Sequence, residues 1–296
     1  MHKNPSKSIL FVNYFQVKII LLFITILFII GCGKVAHKKS DKIIVLSPEV
    51  AEIVYEIGAK DQVLAVTNEC DYPPEIENIP KVGSFSSPDI EKIIALRPKY
   101  ILGTSLEQAM VFANMKKLHL KCYEFYPQSI DSLYNAIMKI GSLFNKEMES
   151  QKLVHQLRMD ISSINIPNYQ PRVYIEIYNS PLMTASSESF VGDIISKAGG
   201  KNIFNQLPRE YCRITAEEII SRNPQVIIIT YPNITKNDVS NRLGWDKIDA
   251  VINKQIYTVE DINPDFIVRA GPRFVIGVKQ LAQLFKNAVK GKESEG

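Results

Sequence analysis

The feature that most constrains this chain is a helix-and-strand segment written twice. The run "EKIIALRPKYILGT", residues 91–104, lies without a gap on "EEIISRNPQVIIIT", residues 217–230, at an offset of 126. Glutamate, two isoleucines, proline, a further isoleucine and threonine are identical. Each copy reads as a helix that closes before its proline, because proline bars the residue ahead of it from helical geometry, followed by an apolar strand. A weaker match at another offset joins "EIVYEIGAK" (52–60) to "DIISKAGGK" (193–201), where an acid, two aliphatics, a glycine and a lysine recur. Repetition of this kind predicts two lobes of similar plan.

The rest of the chain fits that expectation. "KIIVLS" from residue 42 reads as a buried strand, "PEVAEIVYEIGAK" as a helix that starts at Pro48 and ends at Gly58, and "QVLAVT" as a second strand. Alternating strand and helix predicts an α/β fold with mainly parallel sheet, in two Rossmann-like lobes over residues 42–127 and 166–290. Between them, in residues 128–165, Leu133, Ile137, Ile140, Leu143, Leu153, Leu157, Ile161 and Ile164 fall at helical spacings, with a break expected near Gly141–Asn145. This segment is expected to cross between the lobes as helix, and a helical connector resists bending because bending breaks backbone hydrogen bonds. Two such lobes side by side form a cleft, and ligands of parallel sheets sit beyond the carboxyl ends of the strands.

The N-terminus places the chain in the cell. Lys3, Lys7 and Lys18 precede the uncharged run "IILLFITILFIIGCG", which is long enough for a signal h-region and short for a bilayer span. "IIGC" before and including Cys32 resembles a bacterial lipobox, which implies a signal peptide over residues 1–31, lipidation of Cys32 and a flexible tether over 32–41. An uncleaved anchor helix is the alternative, and either way the remainder lies outside the inner membrane. Loss of Lys3, Lys7 and Lys18 with no acid lowers the formal charge from +4 to +1. That leaves no basic footprint for nucleic acid.

Other chemistry is poorly served. Cys70, Cys122 and Cys212 follow Cys32 without CxxC spacing and read as isolated thiols, with one disulfide allowed by the compartment. His119 and His155 are the only histidines inside the fold, and GxSxG, HExxH and P-loop motifs are absent. No metal site, catalytic residue or cofactor is expected, so neither an enzyme nor a zinc or manganese carrier is favoured.

Aromatic residues in the loops after strands are the candidate ligand contacts. "CDYPPE" holds Tyr72 beside Pro73 and Pro74, which restrict its backbone. "KVGSF" presents Phe85, "LPREYCR" presents Tyr211, and "DINPDFIVRAGPR" presents Asp265, Phe266 and Arg269. The alternatives are core packing for the rings and a mutual salt bridge for Asp265 and Arg269.

Together, "CDYPPE…IPKVGSFSSPDIEKIIALRPKYIL", "YIEIYNSPLMTASSESFVGDIISKAGGKNIF", "ITAEEIISRNPQVIII" and "RAGPR" resemble the substrate-binding proteins of ABC importers for cobalamin and, more broadly, iron siderophores and haem. The resemblance runs from residue 42 to about 285. It implies a cleft that binds a corrinoid, or else a siderophore or haem, with Tyr72, Phe85, Tyr211, Asp265, Phe266 and Arg269 at the ligand and Tyr178 and Met183 lining the second lobe. Phe85 and Tyr211 stand where the cobalamin binders often have tryptophan, so the corrinoid assignment stays open. It also implies that Glu91 and Glu217 dock on an ABC permease dimer, the alternative being ordinary first-turn acids that complement the helix dipole. A scaffold lipoprotein with a vestigial cleft is the rival of another class.

Overall fold

A computed structural model describes residues 42–104, 107–166 and 168–293, with side chains described as far as residue 288. The expected signal peptide (1–31), Cys32 and the tether (32–41) lie outside the described residues.

The N-terminal lobe alternates strand and helix as β1 (Ile43–Val45), α1 (Pro48–Glu56), β2 (Val63–Val66), α2 (Ile90–Leu96), β3 (Ile101–Gly103), α3 (Ala109–Lys117) and β4 (Cys122–Glu124). Its four strands are all parallel, in the order β2-β1-β3-β4. Every residue of β1 and β3 is buried, as strands covered on both faces require. Pro48 opens α1 where its missing N–H costs nothing, and Gly58, at φ +70°, carries the chain out beyond the last turn.

The connector is a pair of helices, α4 (Ile130–Leu143) and α5 (Glu147–Ser162). The expected interruption falls at Phe144–Lys146, where Asn145 takes a left-handed φ of 56°. The two helices fold back on each other because α4 has no side chain at Gly141: a Cβ there would stand 2.2 Å from Ser150 Oγ. Helix α4 packs on α1 of the first lobe and also on α6 (Phe190–Lys197) of the second.

The C-terminal lobe contributes β5 (Arg172–Glu176), β6 (Tyr178–Asn179), β7 (Leu182–Ala185), α6, β8 (Lys201–Asn202), β9 (Tyr211–Arg213), α7 (Ala216–Arg222), β10 (Val226–Ile229), α8 (Lys236–Ser240), α9 (Asp249–Ile252), β11 (Ile256–Tyr257), α10 (Asp265–Val268) and α11 (Phe274–Glu293). Its parallel sheet runs β11-β10-β5-β8, and β6-β7-β9 form a separate antiparallel sheet.

The sequence repeat is a structural one. Asp89 and Thr215, at equivalent positions, each cap a seven-residue helix by accepting a hydrogen bond from the backbone three residues on, and Arg97 and Asn223 each end that helix with positive φ. The following strands, β3 and β10, both lie inside their sheets.

The hydrophobic core does not respect the division into lobes. One cluster joins Ile53 and Val54 of α1, Leu133, Ile137 and Ile140 of α4, Ile194 of α6 and Phe285 of α11. Each such side chain contributes about 1.5–3 kcal/mol by leaving water. Smaller clusters lie under α2 and α3 and around Trp245. The lobes thus share a spine of buried apolar contact.

Candidate functional site

The loops beyond the strand ends of both sheets enclose a cavity of about 650 Å³. The N-terminal lobe lines it with Pro48 and Glu49 after β1, Glu69 and Phe85 after β2, Thr104 and Glu107 after β3, and Tyr126 and Pro127 after β4. The C-terminal lobe adds Ile177 after β5, Met183 on β7, Phe190 and Val191 on α6, Glu210 and Tyr211 at β9, Thr230 after β10, and Val268, Arg269 and Ala270 at the end of α10. Apolar and aromatic surface lies between charged groups, which is how ligand clefts are commonly built.

Polar side chains hold these loops. Gln108 donates to the carbonyls of Leu46 (2.9 Å) and Phe85 (2.8 Å) and accepts from the Thr104 amide (3.2 Å), so it ties three loops of the first wall together. Glu69 accepts the Phe85 N–H at 2.7 Å, which fixes that ring's position. Behind the opposite wall Glu176, fully buried at the end of β5, receives Arg242 through both oxygens (2.6 and 2.7 Å), together with the hydroxyls of Tyr174 (2.9 Å) and Tyr231. The bidentate geometry and the extra donors meet the desolvation of the pair.

Polar contacts also tie the first lobe and the connector to the second lobe. Tyr126 Oη and Gln128 Nε2 each donate to Glu210 at 2.5 Å, and the Ile130 amide donates to Asp193 at 2.8 Å. Burial, then the bond to Glu210, push the Tyr126 phenol upward, so it stays a donor at any physiological pH. On the other side Arg273 holds the buried Glu52 through two bonds, of 2.9 and 2.5 Å. Arg269 reaches Asp71 at 2.8 Å, Asp265 at 3.1 Å and Glu52 at 3.8 Å. Against the burial that would raise it, the Arg269 hydrogen bond holds the Asp71 carboxyl below its ordinary value. The "RAGPR" loop can come this close to α1 because Gly271 has no side chain: a Cβ there would stand 3.2 Å from Glu52 Oε2.

Glu49, one turn before Glu52 on α1, is in a different state. Burial pushes its carboxyl up to about 7, Glu107 adds to the rise and Arg269 opposes it.

The structure brings Phe85, Met183, Tyr211 and Arg269 to the cavity wall and sets the other expected contacts back from it. Tyr72 and Phe266 lie against the guanidinium of Arg273, with ring centroids 4.0 and 5.3 Å from its carbon, so one face of each ring meets a protein cation. Asp265 is the salt-bridge partner of Arg269, the alternative the sequence left open. Tyr178 is exposed on β6 directly opposite Met183, and although cross-strand partners share a face of the pair, only Met183 lines the cavity.

Sequence reading missed Glu49, Glu107, Tyr126 and Glu210, as well as Gln108. The first three sit just after β1, β3 and β4, the places where the strand-end rule directs attention; the local sequences of Glu49 and Glu107 carry no aromatic cluster, whereas the "YEFYP" around Tyr126 was a signal that could have marked it.

Cys70, Cys122 and Cys212 are free thiols, and burial pushes the Cys70 thiol up to about 11, far from a reactive thiolate. No group of three or more His, Cys, Asp or Glu suited to a metal occurs among the described residues. Glu91 and Glu217 are both exposed, in the first turns of α2 and α7.

Comparison with known proteins agrees with this architecture. YvrC, an ABC transporter substrate-binding lipoprotein of Bacillus subtilis, is 28% identical over 83% of this chain and 80% of its own length. The Vitamin B12-binding protein of Vibrio cholerae is 26% identical over 91% of this chain and 98% of its own. A Staphylococcus epidermidis structure described as a possible iron-binding (periplasmic solute-binding) protein superposes with a TM-score of 0.73 at 29% identity, covering 83% of this chain and 99% of that one. The periplasmic binding protein family model matches residues 43–263, which hold all three sheets and the cavity lining other than Val268, Arg269 and Ala270, and the chain belongs to that family.

Proposed function

We propose that this protein is the extracytoplasmic substrate-binding component of an ABC importer, anchored to the envelope through lipid on Cys32, and that its cleft captures a corrinoid. The observation that carries the reading is the interlobe cavity of about 650 Å³, walled by Phe85, Met183 and Tyr211, in a chain that aligns over nearly its whole length with a Vitamin B12-binding protein. Rigid aromatic surface held by Gln108 and Glu69 binds a large ring system with little ordering cost.

In this reading Phe85, Met183 and Tyr211 supply contact area and Arg269 stands at the rim. Tyr72 and Phe266 serve from behind by holding Arg273, Asp265 serves by holding Arg269, and Tyr178 supports Met183 across the hairpin. Glu91 and Glu217 project from equivalent helices of the two lobes, which suits a twofold permease partner.

A ferric siderophore or haem is the second reading, in keeping with the likeness to the Staphylococcus epidermidis structure described as a possible iron-binding protein. Calorimetry with cobalamin, cobinamide, haem and a ferric siderophore tests the proposal, and a corrinoid is expected to bind with about micromolar affinity or better. Silence from all four would favour a scaffold lipoprotein. Mass spectrometry of the wild type showing unmodified Cys32 still joined to Gly31 would overturn the anchor.

A further inference from the structure

The charges facing the cavity are unequal. Glu49, Glu69, Glu107 and Glu210 line it, and Arg269 is the only cation among its described lining residues. Arg269 is already engaged by Asp71, Asp265 and Glu52, so its guanidinium faces three carboxylates before any ligand arrives. Glu69 and Glu210 receive protein donors. Burial raises the Glu49 carboxyl most and Glu107 adds to the rise, against the opposing backbone amide, Ser47 and Arg269. Ionised carboxylates only accept hydrogen bonds. A ligand edged with N–H donors satisfies them, whereas one edged with carboxylates meets like charge.

We infer that the cleft selects by ligand charge: it takes a neutral or cationic ligand whose rim donates hydrogen bonds, as the amide-edged ring of a corrinoid does, and refuses ligands with a carboxylate rim or net negative charge, such as haem or a ferric tricatecholate. This rests on the reading of the cavity as a small-ligand site. It ranks the candidates within that reading: cobinamide, which lacks a phosphodiester, binds at least as well as cobalamin, and both bind far better than haem.

The test is calorimetric titration of the mature protein at about pH 8, where Glu49 is ionised, with cobinamide, cobalamin, haem and a ferric tricatecholate. Cobinamide is expected to bind at least about tenfold tighter than either anion. Glu49→Gln combined with Glu107→Gln should narrow that gap by raising affinity for the anions. Raising salt on the wild type should narrow it as well, because screening weakens repulsion, and this arm needs no variant to fold. An anion binding the wild type as tightly as the corrinoids, or a gap unmoved by both salt and substitution, would overturn the inference while leaving the transport reading in place. Binding of none of the four would overturn the transport reading and this inference with it.

Discussion

Two sides of the same cavity treat their carboxylates in opposite ways, and the contrast begins on one helix. Glu52 on α1 is buried and gripped by Arg273 across the lobe boundary, while Glu49, three residues earlier, faces the cavity beside Glu107. Toward "RAGPR" every acid has an arginine: Glu52 has Arg273, and Asp71 and Asp265 share Arg269. Toward Glu107 and Glu210 the lining of this cavity holds no cation among the described residues, and Arg209 lines the adjoining pocket with Glu210 and Glu188. Arginines pair the carboxylates on one side, and on the other Glu210 takes only the neutral donors of Tyr126 and Gln128 while Glu49 and Glu107 face the cavity.

The largest expected effect comes from breaking the paired side. Arg273→Ala leaves Glu52 buried without its bidentate partner and should destabilise the protein by about 3–5 kcal/mol in urea or thermal unfolding. Replacing both residues by apolar side chains of similar volume should recover much of the loss. If Arg273→Ala alone proves neutral, the pair does not secure the lobes.

A smaller effect tests the unpaired side. The Glu49 carboxyl is raised in the fold from 4.5 to about 7, so the folded state holds a proton that the unfolded chain releases over that interval. The stability this contributes is fully present below the ordinary carboxylate value and is lost as pH rises through about 7. Glu49→Gln should therefore gain on the wild type in Tm between about pH 5 and about pH 8. Parallel curves would show that Glu49 is not perturbed.

The aromatic neighbours sharpen the comparison further. Tyr72→Ala should cost about 0.5–2 kcal/mol of stability by removing the ring under Arg273, and Tyr72→Phe should cost little. Ligand affinity should respond more to Phe85→Ala, which strips the cavity wall, than to Tyr72→Ala. The reverse order in calorimetry would return Tyr72 to the ligand surface.

The smallest effect belongs to the outer faces. Exposed Glu91 and Glu217 should both be replaceable by alanine within about 0.5 kcal/mol of wild-type stability and with ligand affinity nearly unchanged, while permease binding is lost. Lost ligand affinity would place them in the wrong role.

The repeat shows how much was legible beforehand. Its cap residues, its helix length and its following strand depend on contacts within a few residues, so "EKIIALRPKYILGT" and "EEIISRNPQVIIIT" carried that information in their own text. The connector was legible as helix with a break, because the 3.6-residue period and the Gly141–Asn145 interruption are local. That its halves fold back against each other depends on Gly141 meeting Ser150. In the site, Phe85, Tyr211 and Arg269 could be found from strand-end loops. Gln108 could not, because its value lies in reaching Leu46 and Phe85, 62 and 23 residues away.

By itself the sequence determined the alternation of strand and helix, the doubled lobe and the loops from which a cleft had to be built, since periodicity and capping act over one or two turns. Tertiary structure alone decided which carboxylates meet arginines. Glu49 and Glu52 belong to the same helix and the same chemical type, yet Arg273, 221 residues from Glu52, answers only the second. Charge pairing falls off with distance in space and is blind to distance along the chain, so only the folded arrangement separates an acid that holds the lobes from one that faces the cavity.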